Sequence, residues 1–441
     1  MNDSNPRVKE FLTEMGILPE LTDVSHTAGM FRQEMQAGLA GKASSLAMIP
    51  AFISNAFSAV EDETVIAIDA GGTNLRISLV RLHLGKAPEI ISIKRFSMPG
   101  TKTAVTSDEF FDFLARELAE FLTHTTRIGF CFSYSVEILP SRDGRILALG
   151  KEVVIHGITG KIIGNELSKA LIRKNLPLFS HLTVLNDTTA ALIGGQFLCR
   201  DHSYSDFMGY ILGTGTNICY YEKNENIGKA PELTACGGRT IINTESGYFD
   251  RQFRGVLDKE FWADTQNPSD HHLEKMVSGQ YLGKLLSKYL TKAADHHLFS
   301  PQAAAMISTL GDITTKDIND FLNGASSDNP LAIFKTMDKT DRDLLYQLVD
   351  ALLERAAKLV TASIAGCLLQ TGCGRDADRP VLILMEGSTY VHFSQLREKI
   401  LYYINSEVTQ RLGFHIILKE LDGAVTYGTA YAATAESIST I

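Results

Sequence analysis

The sequence lacks most of the features that would take a chain out of the ordinary globular class. Its 441 residues include 12 prolines, one tryptophan and six cysteines, and no two cysteines form a C-x-x-C pair. Scattered at positions 131, 199, 219, 236, 367 and 373, the cysteines read as free thiols in a reducing compartment. Cations are in the minority: 42 Lys and Arg stand against 51 Asp and Glu, a net charge of −9. Without an excess of positive charge the chain cannot neutralise phosphates in bulk, which excludes broad nucleic-acid binding and attachment to an anionic membrane surface. A small local site for one nucleotide stays open. No apolar run approaches the ~20 residues that span a bilayer. The nearest contender, residues 46–60, is interrupted by Pro50, Ser54, Asn55 and Ser58. The beginning, MNDSNPRVKEFL, has neither the basic nor the apolar region of a secretion signal, so a cytoplasmic protein is expected. Low-complexity tracts, proline-rich linkers and charge blocks are also missing. At ~150 residues per domain the length suggests two or three domains, interleaved or tightly joined.

What is present is an alternation of strands and helices with one internal echo. Val65-Ile66-Ala67-Ile68-Asp69 is a buried-strand run, Ala70 to Asn74 turns, and Leu75, Ile77 and Leu79 resume the strand alternation. The same grammar returns downstream: Phe207–Leu212 is apolar, Gly213-Thr214-Gly215-Thr216 turns, and Asn217–Tyr221 is apolar again. Each reads as a β-hairpin with a Gly/Thr turn, and one hairpin per half suggests two related α/β domains facing each other. Helices are expected from Ser107, with Phe110, Phe113, Leu114, Leu118 and Phe121 on one face, and over Gly164–Leu171. The strongest runs from Lys339 to Gln370, with a capping box at Thr340-Asp341-Arg342-Asp343, a break near Ala362-Ser363 and a stop at Gly372. Val381–Met385 is a short apolar strand that leads into Glu386-Gly387-Ser388.

The Gly/Thr turns carry the first chemical signal. Glycine lets backbone approach a ligand, and consecutive N–H groups make a concavity that suits an anion. One such turn alone is most simply a tight hairpin; its repetition, the first copy directly after Asp69, shifts the reading towards phosphate. A carboxylate at the end of a strand beside such a turn suits a hydrated Mg²⁺. The P-loop look-alikes at Gly38–Ala43 and Gly157–Ile162 have the wrong spacing, and no dinucleotide-binding glycine motif follows a strand. Residues 182–192 read as strand, Asn186-Asp187, then helix. Asp187 is there either an N-cap or a general base for a hydroxyl nucleophile, kept ionised by the helix dipole. The polar strings Ser133-Tyr134-Ser135, Asn243-Thr244-Glu245 and Glu274-Lys275-Met276 are the kind that converge on a polyhydroxylated ligand, though none is specific alone. Asp270-His271-His272 and Asp295-His296-His297 read as solvated turns rather than metal sites, Cys131 as packing, and Trp262 as an anchor.

In the order in which these segments occur, the chain resembles the hexokinase family of eukaryotic type, within the actin-like ATPase fold group. The matching pieces begin with Glu34-Met35-Gln36-Ala37-Gly38-Leu39, Ala47–Phe52, Asp69-Ala70-Gly71-Gly72-Thr73-Asn74-Leu75-Arg76 and Asn186-Asp187-Thr188. They continue with Gly213-Thr214-Gly215-Thr216-Asn217, Ile242-Asn243-Thr244-Glu245, Glu274–Gly283, Glu386-Gly387-Ser388 and Asp422-Gly423. The resemblance covers about residues 31–433 and implies a two-domain α/β fold of the ribonuclease H-like kind with an interdomain cleft. It divides the chain into a small domain over 64–187, completed by 426–441, and a large domain made of 1–63 and 188–425. It implies a hexose as substrate, ATP as donor and Mg²⁺ as its companion. By similarity Asp187 is the base that takes the proton of the sugar 6-hydroxyl, helped by Lys151. Ser133, Lys151, Asn186, Asn217, Glu245 and Glu274 hold the sugar. Asp69, through water, serves the metal. Gly71, Gly72, Thr73, Asn74 and Arg76 form the first phosphate loop, and Gly213, Thr214 and Gly215 the second. Gly387, Ser388, Asp422 and Gly423 hold the nucleotide.

The chain departs from the family pattern at four places. Ser133-Tyr134-Ser135 replaces Ser-Phe-Pro, and loss of that proline is expected to loosen the loop. Leu149-Gly150-Lys151-Glu152 replaces Trp-Thr-Lys-Gly, which removes a sugar-binding hydroxyl worth about 0.5–1.5 kcal/mol. Ser246 stands for a Trp and Ala424 for a Ser. These changes bear on which sugar is taken and how tightly, more than on the reaction. Glucose is the first expectation, with mannose, fructose or an amino sugar as alternatives. Two further readings remain at this point: a catalytically weak sugar sensor, favoured by the altered loop, and an actin-like scaffold ATPase, which leaves Asn217, Glu245 and Glu274 unexplained. Oligomeric state is not legible.

Overall fold

The computed structural model describes residues 6–55, 62–83, 86–150, 153–199, 201–324 and 328–435. Lys151 and Glu152 lie outside the described residues. Two sheets organise the chain. The first has five strands, in the spatial order His181–Leu185, Arg127–Phe132, Thr64–Ala70, Asn74–Arg81, Glu89–Ser97. The second has six: Ile49–Ser54, Arg239–Asn243, Thr216–Lys223, Asp206–Leu212, Val381–Glu386, Ile416–Lys419.

Numbered along the chain within each sheet, and with Ile49–Ser54 set aside, both sheets run third, second, first, fourth, fifth. In both, the first three strands are antiparallel neighbours, while the fourth lies parallel to the first and the fifth parallel to the fourth. The two hairpins found in the sequence are therefore the opening pair of one topology built twice. Ile49–Ser54 is an antiparallel edge strand added to the second copy. The parallel strands are nearly all apolar, as strands covered on both faces must be: Val381–Met385 is buried throughout.

After the fifth strand of each copy comes a helix, Asp187–Leu198 in the first and Ala424–Ala432 in the second. These two helices pack backbone against backbone. A side chain at Gly428 would put its Cβ 1.8 Å from the carbonyl oxygen of Ala190, and one at Gly194 would come 2.4 Å from that of Ala424. A Cβ at Gly129, in the fourth strand of the first sheet, would meet the Thr429 carbonyl at 2.0 Å. Small residues are required there because the two copies meet without side chains between them. Ala424, a departure from the family pattern, is one of the contact residues and is buried.

The helices outside the sheets follow local signals. Thr106 and Glu109 form a reciprocal capping box at Ser107–Leu118, which buries Phe110, Phe111, Leu114 and Leu118. The Gly164–Leu171 expectation corresponds to a helix at Ile163–Arg173. The longest helix, Lys339–Thr371, ends at Gly372 in the left-handed conformation (φ 70°). Its start differs from the expected box: Asp338 is the cap and accepts from the Asp341 N–H at 3.0 Å. Asp341 instead turns to Ser300, taking its N–H at 2.9 Å and its hydroxyl at 2.6 Å. Nor is there a break at Ala362-Ser363; the Ser363 hydroxyl bonds back to the Val360 carbonyl at 2.8 Å, so it does not disturb the turn. Midway along this helix, Arg355 is buried and donates to Asp258 Oδ2 at 2.7 Å and to the Tyr289 hydroxyl, which ties three helices together.

Candidate functional site

In open α/β sheets the carboxyl ends of the strands, where the order reverses, form the crevice in which ligands sit. The reversal falls between the first and fourth strands of each copy. In the first sheet those ends carry Asp69, the turn 71–73 and Ser133; the fifth strand leads into Asn186-Asp187. In the second sheet the equivalent ends carry Gly213-Thr214-Gly215 and Glu386-Gly387-Ser388; the fifth leads towards Asp422-Gly423. Most of the sequence-selected residues thus occupy matching positions in a duplicated scaffold, and their clustering follows from topology.

Asn186 is the N-cap of its helix: its side chain accepts from the Thr188 N–H at 2.9 Å. This frees Asp187, the first helical residue, from the capping role that was the simpler reading of its sequence. The Thr188 N–H and hydroxyl donate to Asp187 Oδ1 at 2.7 and 3.3 Å. Burial pushes the Asp187 carboxyl above its ordinary range, against the pull of the Thr188 and Ser133 donors. The helix dipole does not keep it at low pKa as expected; the loss of water around the carboxylate outweighs the helix terminus. Burial raises Asp69, Glu245 and Glu386, which come from three other segments, and the Asp187 charge adds to each rise.

A chain of amide and carboxylate contacts runs from Asn186, the residue before Asp187, into the second copy. Asn217 Nδ2 donates to Asn243 Oδ1 at 2.7 Å and lies 3.5 Å from Asn186 Oδ1. Asn243 Nδ2 donates to Glu245 Oε1 at 2.8 Å. Asn217 Oδ1 accepts the N–H groups of Ile218 and Ser246, at 2.8 and 3.2 Å. Ser246, where the family pattern has Trp, is buried at this point. Glu245 has left-handed backbone (φ 56°, ψ 48°), unusual for a residue with a side chain. Glu274 Oε2 accepts the Thr216 N–H at 3.2 Å. Burial pushes Glu274 up to about 7, with the Glu245 charge adding to the rise and the Thr216 N–H opposing it. Asn243 is a further member of the site, beyond the residues the sequence points to. The signal for it in the sequence is its place at the strand end, two residues before Glu245.

The turn residues form two exposed rims. Gly71 N–H bonds to the Asn74 carbonyl at 2.9 Å, while Gly72, Thr73 and Asn74 face solvent. Asn74 Nδ2 donates to Thr73 Oγ1 at 3.1 Å. Arg76, directly across the hairpin from Asp69, lies 3.4 Å from its carboxylate. Burial raises Asp69 to about 6; Arg76 opposes the rise and Asp187 adds to it. In the second rim Gly213 N–H bonds to the Gly215 carbonyl at 2.9 Å, and the Gly213 carbonyl accepts from Gly279 N–H and from the Thr389 hydroxyl, each at 2.8 Å. Gly387, at φ 106°, sits against this turn: a Cβ there would come 2.5 Å from the Leu212 carbonyl. Thr214 and Ser388 are exposed beside it. Gly423 (φ 75°) opens the Ala424–Ala432 helix, and the charge of Asp422 adds to the rise of Glu386, which burial takes to about 7.

The histidine pairs stand apart from this site. His297 is exposed in its turn as expected, but His271 is half-buried with its ring 3.9 Å from that of Tyr248, and His272 is buried and stacks on Trp262 at 4.2 Å, so that turn is not simply solvated. No group of three His, Cys, Asp or Glu side chains among the described residues is arranged to hold a metal ion. Cys131 is fully buried packing. No described helix is long and apolar enough to cross a membrane.

Comparison with known proteins accounts for nearly the whole chain. Two hexokinase family models match in succession, over residues 7–197 and 207–435. Hexokinase-4 of Arabidopsis thaliana is 27% identical, over 97% of this chain and 92% of that protein. Hexokinase-2, chloroplastic, of Nicotiana tabacum is 30% identical, over 93% and 87%. A solved hexokinase from Schistosoma mansoni, complexed with glucose, has the same fold, with a TM-score of 0.77 at 22% identity and coverage of 98% and 99%. Together with the duplicated sheet and its cleft, these matches establish that the chain belongs to the hexokinase family and is a hexose kinase, a phosphotransferase with the two-domain actin-like sugar kinase fold.

Proposed function

We propose that this kinase transfers the γ-phosphoryl group of ATP to the 6-hydroxyl of a hexose, glucose first, with Asp187 as general base. The observation that carries the proposal is the run Asn186–Asn217–Asn243–Glu245, a polar wall of amides and a carboxylate that begins at the residue before Asp187. A hexose offers hydroxyls in several directions and needs acceptors in several directions. Asn186, Asn217, Glu245 and Glu274 are suited to that, and Ser133 lies beside Asp187. The Thr188 and Ser133 donors orient the carboxylate that is to accept the 6-hydroxyl proton.

The residues present suit a magnesium nucleotide. Burial raises Asp69 to about 6, Arg76 offsets only part of the rise and the Asp187 charge adds to it, a condition that a cation relieves. Mg²⁺ is ordinarily held by one or two carboxylates together with substrate phosphates, so one aspartate is enough. Gly71, Gly72, Thr73, Asn74 and Arg76 on one side, with Gly213, Thr214 and Gly215 on the other, would hold the phosphates. Gly387, Ser388, Asp422 and Gly423 would hold the rest of the nucleotide. MgATP, when bound, supplies the transferable phosphoryl group and a cation that neutralises its oxygens. The chain's own work is alignment and the exclusion of water, a competing nucleophile. With a phosphate turn on each sheet, we infer closure of one domain, 64–187 with 426–441, on the other once the sugar is seated.

ADP release from MgATP, measured against glucose, mannose, fructose, glucosamine and N-acetylglucosamine, tests this reading. Rapid turnover with glucose is expected. Turnover with another hexose alone would reassign the substrate, and none with any sugar in the folded protein would sink the proposal.

The carboxylates give a second expected result. Glu274 is raised from the ordinary glutamate range to about 7, so the native state holds its proton where the unfolded chain has lost it. Its contribution to stability is therefore full below the ordinary glutamate pKa and is lost as pH rises through about 7. Sugar hydroxyls that donate to the carboxylate reverse part of that shift. Hexose binding near pH 6.5 is expected to release on the order of half a proton and to tighten as pH rises towards 7.5. Calorimetry in two buffers of different ionisation enthalpy measures the release; equal apparent enthalpies in both would refute it.

A further inference from the structure

The phosphate turn of the first sheet is held from behind by a residue that the mechanism above does not use. Tyr134 is buried; its hydroxyl donates towards the carbonyl oxygens of Gly71, at 2.8 Å, and Gly72, at 3.2 Å. Its ring packs on Phe132 with centroids 4.9 Å apart. One residue earlier, the Ser133 N–H bonds to the Ala70 carbonyl at 3.1 Å, so the segment is stitched to the turn at two successive points. On the far side, the ring lies under Gly150, where a Cβ would be 3.8 Å from Cε1.

The geometry of the peptide gives this contact a consequence. In a trans peptide the carbonyl and the following N–H point in opposite directions. Fixing the Gly71 and Gly72 carbonyls on Tyr134 therefore aims the N–H groups of Gly72 and Thr73 away from the protein. Neither N–H has a protein acceptor among the described residues, and both residues face solvent. Glycine has the widest choice of backbone conformations, so a Gly-Gly turn without such a hold would sample other orientations. The phenylalanine of the family pattern has the ring and not the hydroxyl.

We propose that Tyr134 is a positioning residue that, through its hydroxyl, presents the Gly72 and Thr73 N–H groups to the nucleotide's phosphate oxygens, and so ties the sugar loop at Ser133 to the phosphate turn. This rests on the reading of 71–73 as a phosphate turn. It also accounts for the loop's tolerance of Ser135 in place of proline: the hydroxyl supplies the restraint that the ring of proline would have given.

The test is Tyr134→Phe in the full chain, which keeps ring and packing. The KM for MgATP is expected to rise about tenfold, as one lost hydrogen bond aligning charged groups implies. Hexose affinity and inhibition by adenosine, which has no phosphates, are expected to change less than twofold. An unchanged KM for MgATP, or equal losses for MgATP, adenosine and hexose, would overturn the proposal and leave Tyr134 a packing residue. If the wild type saturates with hexose but shows no MgATP-dependent turnover, the phosphate-turn reading fails and this inference fails with it. A wild type with normal turnover beside an unaltered variant sinks this inference alone.

Discussion

Replacing Asp187 by asparagine is expected to lower kcat by about 10²–10⁴, the usual range for loss of a positioned general base. The substitution keeps the shape of the side chain, and its amide oxygen can still accept from Thr188, whose N–H lies 2.7 Å from Asp187 Oδ1. Asn186 continues to cap the helix, so the fold at the strand end has no reason to change. The KM for hexose is expected to move less than about tenfold, because Asn217, Glu245 and Glu274 are untouched. The pH profile provides an independent check. Burial raises the Asp187 carboxyl, so the acid limb of wild-type kcat is expected above the ordinary aspartate range, with activity falling as pH drops through it. That limb should flatten in the variant. A kcat within tenfold of wild type would remove Asp187 from the role of base.

The second large effect concerns stability. Arg355 and Asp258 form an ion pair whose side chains are 3% and 0% exposed, which makes it the most buried pair among the described ion pairs. The two charges hold each other in place: burial works against the charged guanidinium, but the charge of Asp258 and the hydrogen bond its carboxylate accepts keep Arg355 protonated. Arg355→Met would leave the Asp258 carboxylate buried with, among the described residues, the Gly255 N–H at 2.8 Å as its remaining donor. Breaking a buried pair from one side costs about 3–5 kcal/mol. A lower urea midpoint is expected, with kcat at low temperature little altered because the pair touches no site residue. Removing both charges as Arg355→Met with Asp258→Leu should recover part of the loss, since well-packed apolar residues commonly match a buried pair. Recovery will be incomplete because Asp258 also caps its own helix. A single variant that loses less than about 1 kcal/mol would show that water reaches Asp258 when Arg355 is absent.

Much of this architecture was legible because its signals are local. A strand, a Gly/Thr turn and a second strand can be read from a dozen residues, and finding the unit twice pointed to the duplicated sheet. The topological equivalence of residues 69–73 and 212–215 then explained why both turns are in the cleft. What stayed hidden depends on partners far away in sequence. Asp187 reads as a cap until Asn186 is seen to do that work. Its raised pKa reflects burial by other segments, which a helix N-terminus in isolation does not reveal. The cap at Asp338 was missed because Asp341 is engaged by Ser300, some forty positions earlier. Ala362-Ser363 looked like a weak point, but the Ser363 hydroxyl is absorbed by the helix itself. Nothing in the sequence gives Tyr134 a task, and only the position of its hydroxyl does.

The left-handed backbone of Glu245 has a consequence for how this enzyme can be improved. A residue with a side chain held in that conformation costs on the order of 1–3 kcal/mol. Glycine would adopt it freely, and asparagine more readily than glutamate. Neither would bring a carboxylate to the wall of the cleft. With Glu245 in its proposed role as a sugar acceptor, position 245 is a place where sturdiness and substrate recognition select different residues, and a search for thermostable variants that is blind to activity would be drawn to the very substitution that empties the proposed sugar wall of one of its acceptors.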